Sequence, residues 1–240
     1  MSKTQLWEYA SYAIDTHVDP AAVTNYGGLF PYLDLMLLTD LPGLVQRACP
    51  AAPATGWQPA EYVATLLAVN LTGGDCVDDV AKLAADPGIA LVMGQLRHTL
   101  GLTRRRMAHG GQGVLPSLTC LRGWLDQHHD SAEEEKRQAG VAFIPAPNPA
   151  LRGLQAAGRQ FVTAAYRLYQ RSGRPPITQA TREIDATCMA TQKQTALPCY
   201  KKYDAYSALL VRWAETGFVV WDEFRDGNVP PAYRNQAALE

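Results

Sequence analysis

The sequence predicts an α+β chain, helical in its N-terminal part and stranded in its C-terminal part. Three observations carry that prediction. From about Tyr26 to Asp130 apolar residues recur at helical spacing. A connector, Phe143-Ile144-Pro145-Ala146-Pro147-Asn148-Pro149, holds three prolines in five positions and can form neither regular helix nor central strand. Beyond Thr181 the pattern turns to short alternating runs bounded by turn residues.

In the first zone, Leu29, Leu33, Met36 and Leu37 outline a helix that Pro42 and Gly43 break. Pro59 suits the first turn of a second helix, apolar from Tyr62 to Leu71 and ended by Gly73-Gly74. Asp75 is the expected N-cap of a third, from Val77 to about Ala85, stopped by Asp86-Pro87-Gly88 and followed by a short apolar piece, Ile89 to Met93. Ser117 is a natural N-cap for a helix with Leu118, Leu121, Trp124 and Leu125 on one face and Thr119, Arg122 and Asp126 on the other. The run Glu133 to Arg137 is most simply a solvated helix end. A long helix follows from about Ala150 to Arg171, with Leu154, Phe161, Ala165 and Leu168 in one stripe. Three strands are expected at about Thr181–Thr187, Tyr206–Ala214 and Phe218–Arg225. The turns Glu215-Thr216-Gly217 and Asp226-Gly227-Asn228 close the second and third. Short connections between them imply an antiparallel meander.

Composition sets bounds rather than a function. The 240 residues suffice for one large domain or two small ones. Hydrophobic residues make up 47% and charged residues 19%, enough to bury a core. A net charge of −1 means that any polyanionic partner must be met by local charge. The five cysteines are widely spread and contain no C-x-x-C pair, which predicts a reducing, cytoplasmic setting rather than a disulfide framework or zinc module. The start, Met1 to Glu8, has no apolar signal core, and no stretch has the length and apolarity of a membrane span.

Two features point to chemistry. Asp185 sits in mid-strand, in Arg182-Glu183-Ile184-Asp185-Ala186-Thr187. Aspartate is a poor strand former, and a desolvated carboxylate needs a partner or a cation. It is therefore either a metal ligand or an acid bonded to a neighbour or exposed at an edge. The second feature is basic. From Gln95 to His129 there are five arginines (Arg97, Arg104, Arg105, Arg106 and Arg122) against one acid, Asp126. Such clusters contact phosphates, and a capped helix after a turn can enter a groove; a solvated loop beside an ordinary amphipathic helix has the same pattern. His128-His129 could suggest a ligand pair, but adjacent helical side chains diverge.

The order of several short motifs resembles the start of DDE-type insertion-sequence transposases. In the strand zone they are Ile184-Asp185-Ala186-Thr187, Trp213-Ala214-Glu215-Thr216-Gly217, and Asp222-Glu223-Phe224-Arg225-Asp226-Gly227-Asn228-Val229-Pro230. In the helical zone they are Gly27-Gly28-Leu29, Gly73-Gly74-Asp75-Cys76-Val77-Asp78-Asp79, Ala85-Asp86-Pro87-Gly88, and Leu115-Pro116-Ser117 ahead of a helix ending His128-His129-Asp130, with Phe143-Ile144-Pro145 in the connector. The resemblance implies a helical DNA-binding domain (residues 1–130), a linker (131–150) and the first strands of a truncated RNase H-like catalytic domain (151–240). Asp185 matches the family's first catalytic acid and Mg²⁺ ligand. The second aspartate and the glutamate have no counterpart in these 240 residues, so the resemblance implies a truncated transposase without catalysis of its own, or else a DNA-binding inhibitor of the full-length enzyme or an inactive remnant. The implied cofactor is Mg²⁺. The implied partners are double-stranded DNA at the element's terminal inverted repeats, a second copy of the chain, or a full-length transposase, in a bacterial nucleoid-associated setting. Arg104, Arg105, Arg106, Thr119 and Arg122 are the expected DNA contacts, and Arg225 and Asn228 support either DNA or the fold. Two positions depart from the family's pattern: Tyr200-Lys201 is followed by Lys202 where glycine is usual, and Ser207-Ala208 stands where Gln-Pro is expected.

Overall fold

The computed structural model describes residue 17 and residues 23–50, 56–100, 113–138 and 140–238. It divides into two compact units between His128 and His129. The first is helical; the second combines helix with a small antiparallel sheet. Among the described residues no single helix is long and apolar enough to cross a membrane.

The helical unit contains α1 (Phe30–Leu38), α2 (Leu41–Ala48), α3 (Pro59–Leu71), α4 (Val80–Ala84), α5 (Pro87–Thr99) and α6 (Leu118–Asp126). Its core holds Val45, Tyr62, Ala64, Leu83, Ile89, Leu121 and Trp124. The Tyr62 and Trp124 rings stack at 5.2 Å and 7°, and His128 meets the Trp124 ring edge-on at 4.6 Å. Ser117 caps α6 by accepting the Cys120 N–H, as its position predicts. Pro42 does not end a helix but lies in the first turn of α2, where the missing N–H costs nothing.

Two local assignments change for capping reasons. The carboxylate that caps the Val77 turn belongs to Asp79, which reaches back to the N–H groups of Asp75 and Cys76. Asp86-Pro87 does stop α4, which ends at Ala84, but it also starts the next helix, where the pattern predicts only a short apolar piece. Asp86 accepts the Ile89 N–H and Pro87 occupies the first turn, so a 13-residue helix, α5, begins there.

In the second unit, α7 (Ser131–Glu134) precedes α8 (Pro149–Arg171), and the sheet is built from β1 (Arg182–Ala190), β2 (Leu197–Pro198), β3 (Asp204–Trp213) and β4 (Phe218–Asp226). The three long strands form the expected meander, with β3 paired antiparallel to β1 on one side and β4 on the other. The two-residue β2 adds to the expected pattern and pairs with the start of β3. One face of β3 (Ala205, Ser207, Leu209, Val211) is buried, and Tyr166 of α8 lies 4.7 Å from the Trp213 ring. The other face carries Asp185, Thr187 and Met189 of β1 and Phe224 of β4, all exposed. Among the described strands, β1 pairs only with β3, so its outer edge is open.

Glycine is required at two turns. Gly217 has φ +76°, and at Gly227 a Cβ would lie 2.3 Å from the Ala205 carbonyl oxygen and 2.5 Å from that of Leu197.

Candidate functional site

Asp185 lies in the middle of β1, opposite Leu210 of β3. It is exposed, and its Oδ2 accepts a 3.2 Å hydrogen bond from the Thr187 hydroxyl, two residues along on the same face. Leu210 in turn faces Asp222 on β4. Directly opposed residues share a face, so the two aspartates look out on the same side with one strand between them. Strands are about 4.8 Å apart, which puts their backbones roughly 10 Å from one another. Burial pushes the Asp222 carboxyl up, while the charge of Arg159 pulls it down. Glu183, the other acid of that face of β1, is held at 2.9 Å by Arg212.

This donor set does not fit two Mg²⁺ ions. Mg²⁺ requires octahedral oxygen ligands at about 2.0–2.1 Å, and a two-metal centre sets its ions about 3.5–4 Å apart. Asp185 can supply one carboxylate. Asp222 is too far away to share its ion, and Glu183, even released from its exposed pair with Arg212, would bring the set only to two carboxylates. Among the described residues no group of three or more His, Cys, Asp or Glu side chains could hold a metal.

The acids and arginines at the far end of β4 form a buried lock. Asp226 is fully buried and receives two guanidinium hydrogen bonds from Arg137, at 2.6 and 3.0 Å. Glu134 grips the same guanidinium. Its two carboxylate partners raise the Arg137 pKa beyond its already high value, so it is always charged. The Phe143 ring lies 5.4 Å from the guanidinium carbon of Arg137. Glu133 accepts the Ala146 N–H. The charge run Glu133 to Arg137 is therefore not a solvated helix end; two of its members fasten the connector to the sheet.

Arg225 is 1% exposed, donates to Glu223 at 2.6 Å and reaches Asn235 at 3.4 Å. Asn228 donates to the Val141 carbonyl at 3.0 Å. Of the two roles the sequence leaves open for Arg225 and Asn228, the contacts seen are those of fold residues.

In the helical unit, Thr119 and Arg122 both lie on the exposed side of α6, as the spacing predicts. Arg122 is paired with Asp78 at 2.7 Å, and both side chains are more than half exposed. Such surface pairs contribute little, so an incoming phosphate can compete for the guanidinium. Arg97 differs: it is mostly buried, bonded to Glu61 at 2.7 Å and set 4.9 Å from the Trp57 ring centre, which makes it a structural residue. Arg104, Arg105 and Arg106 lie outside the described residues.

The bend after β2 adds one observation. Lys202 has φ +67°, in the left-handed region that favours glycine. This is the position where the family resemblance leads one to expect glycine. No protein-family model, curated protein or solved structure matches the chain.

Proposed function

We propose that these 240 residues are the DNA-binding region and the leading part of the RNase H-like domain of a DDE-type insertion-sequence transposase, and that alone they bind DNA without cleaving it. The observation that carries this reading is the antiparallel meander of β1, β3 and β4, with an acid, Asp185, in the middle of its outer strand. The left-handed backbone at Lys202 supports it, because a glycine there is what the resemblance calls for.

The chemistry proposed for the family is in-line displacement at phosphorus, with metal ions activating the attacking oxygen and stabilising the leaving one. Among the described residues Asp185 is the acid placed to hold such an ion. Its carboxylate is held by Thr187, and no group of three or more ligating side chains forms among the described residues. On this reading these residues occupy element ends without acting on them.

The test has two arms. Incubated with Mg²⁺ and a duplex carrying a terminal inverted repeat, the purified chain is expected to leave the DNA intact; robust Mg²⁺-dependent nicking would refute the incomplete-site argument. In a gel shift the same duplex is expected to be retarded, and replacing Arg104, Arg105 and Arg106 together by glutamine should weaken that shift. A chain that binds no duplex at all would sink the proposal.

A further inference from the structure

We infer that the exposed side of α8 is a second DNA-binding surface, on which Arg159, Arg167 and Arg171 meet the phosphates of a duplex. It rests on the DNA-binding reading above and adds to it a surface outside residues 95–129.

The first ground is charge. From Lys136 through Arg182 the chain has no aspartate or glutamate and eight basic residues. Lys136 and Arg137 are consumed by Glu133, Glu134 and Asp226. Arg152 donates to the Pro147 carbonyl at 2.7 Å. Arg174 sits 5.2 Å from the Tyr169 ring centre. Arg159, Arg167 and Arg171 are exposed and form no ion pair with any described acid. The nearest counter-charge is Asp222, whose carboxyl feels Arg159 without being bonded to it.

The second ground is placement. At 100° per residue the three arginines fall within about 120° of the helix circumference, and the steps of eight and four residues spread them along about 18 Å of axis. Ala165, which is buried, lies on the opposite side. The outward residues between the arginines are Gln160, Thr163 and Gln170, all exposed and uncharged. A membrane-facing helix would carry large apolar residues there; this one carries polar groups instead. A row of exposed guanidinium groups that form no ion pair with a described acid is suited to phosphates, which accept the paired hydrogen bonds that arginine offers. The spacing of about 12 Å between Arg159 and Arg167 is comparable to the width of the major groove, so the two can reach phosphates on both of its rims.

The experiment measures binding of a fluorescein-labelled duplex by anisotropy across a salt series, for the wild-type chain, Arg167→Gln/Arg171→Gln and Arg167→Lys/Arg171→Lys, with circular dichroism to check that α8 persists. The glutamine pair is expected to bind about tenfold more weakly. Its slope of log affinity against log salt should be smaller by about 2, because two phosphates are no longer neutralised. The lysine pair should keep the wild-type slope. If the glutamine pair binds like wild type while Arg122→Gln weakens binding, the α8 surface is overturned and the DNA-binding reading stands. If the wild type itself fails to bind the duplex at low salt, both fall. Equal displacement of the duplex by poly-glutamate would also overturn the assignment, by making an acidic protein the better partner.

Discussion

In the helical unit the largest residues fully removed from solvent are apolar or aromatic, Tyr62, Leu83, Ile89, Leu121 and Val45, with the smaller Thr65 among them and one inward ion pair, Glu61 with Arg97. In the sheet unit the deepest residues include Leu209 and Val211 on one face of β3, but also Arg225 and Asp226. One interior is closed mainly by packing, with Glu61 and Arg97 as its inward ion pair. The other is half closed by packing and then tied by charges, Arg137 to Asp226 and Arg225 to Glu223, while a second sheet face and the outer edge of β1 stay open. The two units are therefore vulnerable in different ways. Apolar burial is spread over many neighbours and declines gradually with each deletion. A buried charge stripped of its partner is left uncompensated, and the penalty is concentrated at one point.

The most damaging single change on the helical side should be Trp124→Ala. It removes a buried ring and its stack on Tyr62, and large-to-small changes of this kind cost about 3–5 kcal/mol. Urea unfolding followed by hydrogen exchange should show the weakening in residues 23–128 and leave protection of β3 unchanged; equal weakening in both units would break the comparison. On the sheet side Asp226→Ala should cost about 3–5 kcal/mol, because it leaves Arg137 buried without its main partner. Arg212→Ala, which deletes an exposed pair with Glu183, should cost under about 1 kcal/mol. Similar values for the two would mean that burial does not govern these ion pairs.

Acid should loosen both units through carboxylates whose pKa the fold depresses. Asp79 is held down at about 2 by its hydrogen bond to Lys82, then by the Asp75 and Cys76 N–H groups. Lys82 shows the reciprocal rise. A depressed carboxylate stabilises the fold fully above its unfolded value, here 3.8, and that contribution fades as pH falls from there through about 2. In the sheet unit Glu133 is lowered in the same sense by Lys136 and the Ala146 N–H. Melting temperature followed down an acid titration should therefore fall in this window, and Asp79→Asn should flatten the helical unit's share of the fall. A titration curve identical to wild type would discount Asp79.

The smallest effect expected is a gain. Lys202→Gly relieves a left-handed backbone at φ +67°, a conformation that costs an ordinary L-residue roughly 1–2 kcal/mol. Greater freedom of glycine in the unfolded chain offsets part of this, leaving a net stabilisation under about 1 kcal/mol. A drop in stability would show that the Lys202 side chain matters more than its backbone.

What can be read from the chain alone follows a physical division. Period and capping are local, so α6 behind Ser117, the long α8 and the three main strands are legible from spacing and turn residues. Local signals mislead where a side chain acts backwards along the chain, as Asp79 does on Asp75 and Cys76. They mislead again at Asp86-Pro87, a pair that serves equally as an ending and as a beginning. The position of Asp185 in mid-strand is legible, but its company is not. That Glu183 is bonded to Arg212, and that Asp222 shares the face across an intervening strand, depends on register between segments that are distant in the chain. The fate of the arginines is still less legible. Arg97, Arg122, Arg137 and Arg225 are alike in sequence as basic residues, yet tertiary structure bonds the first to Glu61, leaves the second in a weak surface pair, and uses the last two to close the sheet's interior. Which segments coil and which extend is written in the amino-acid order, because those preferences act within a few residues. Which charges are spent and which remain for a partner is settled only by folding, because a charge is neutralised by whatever the fold brings beside it.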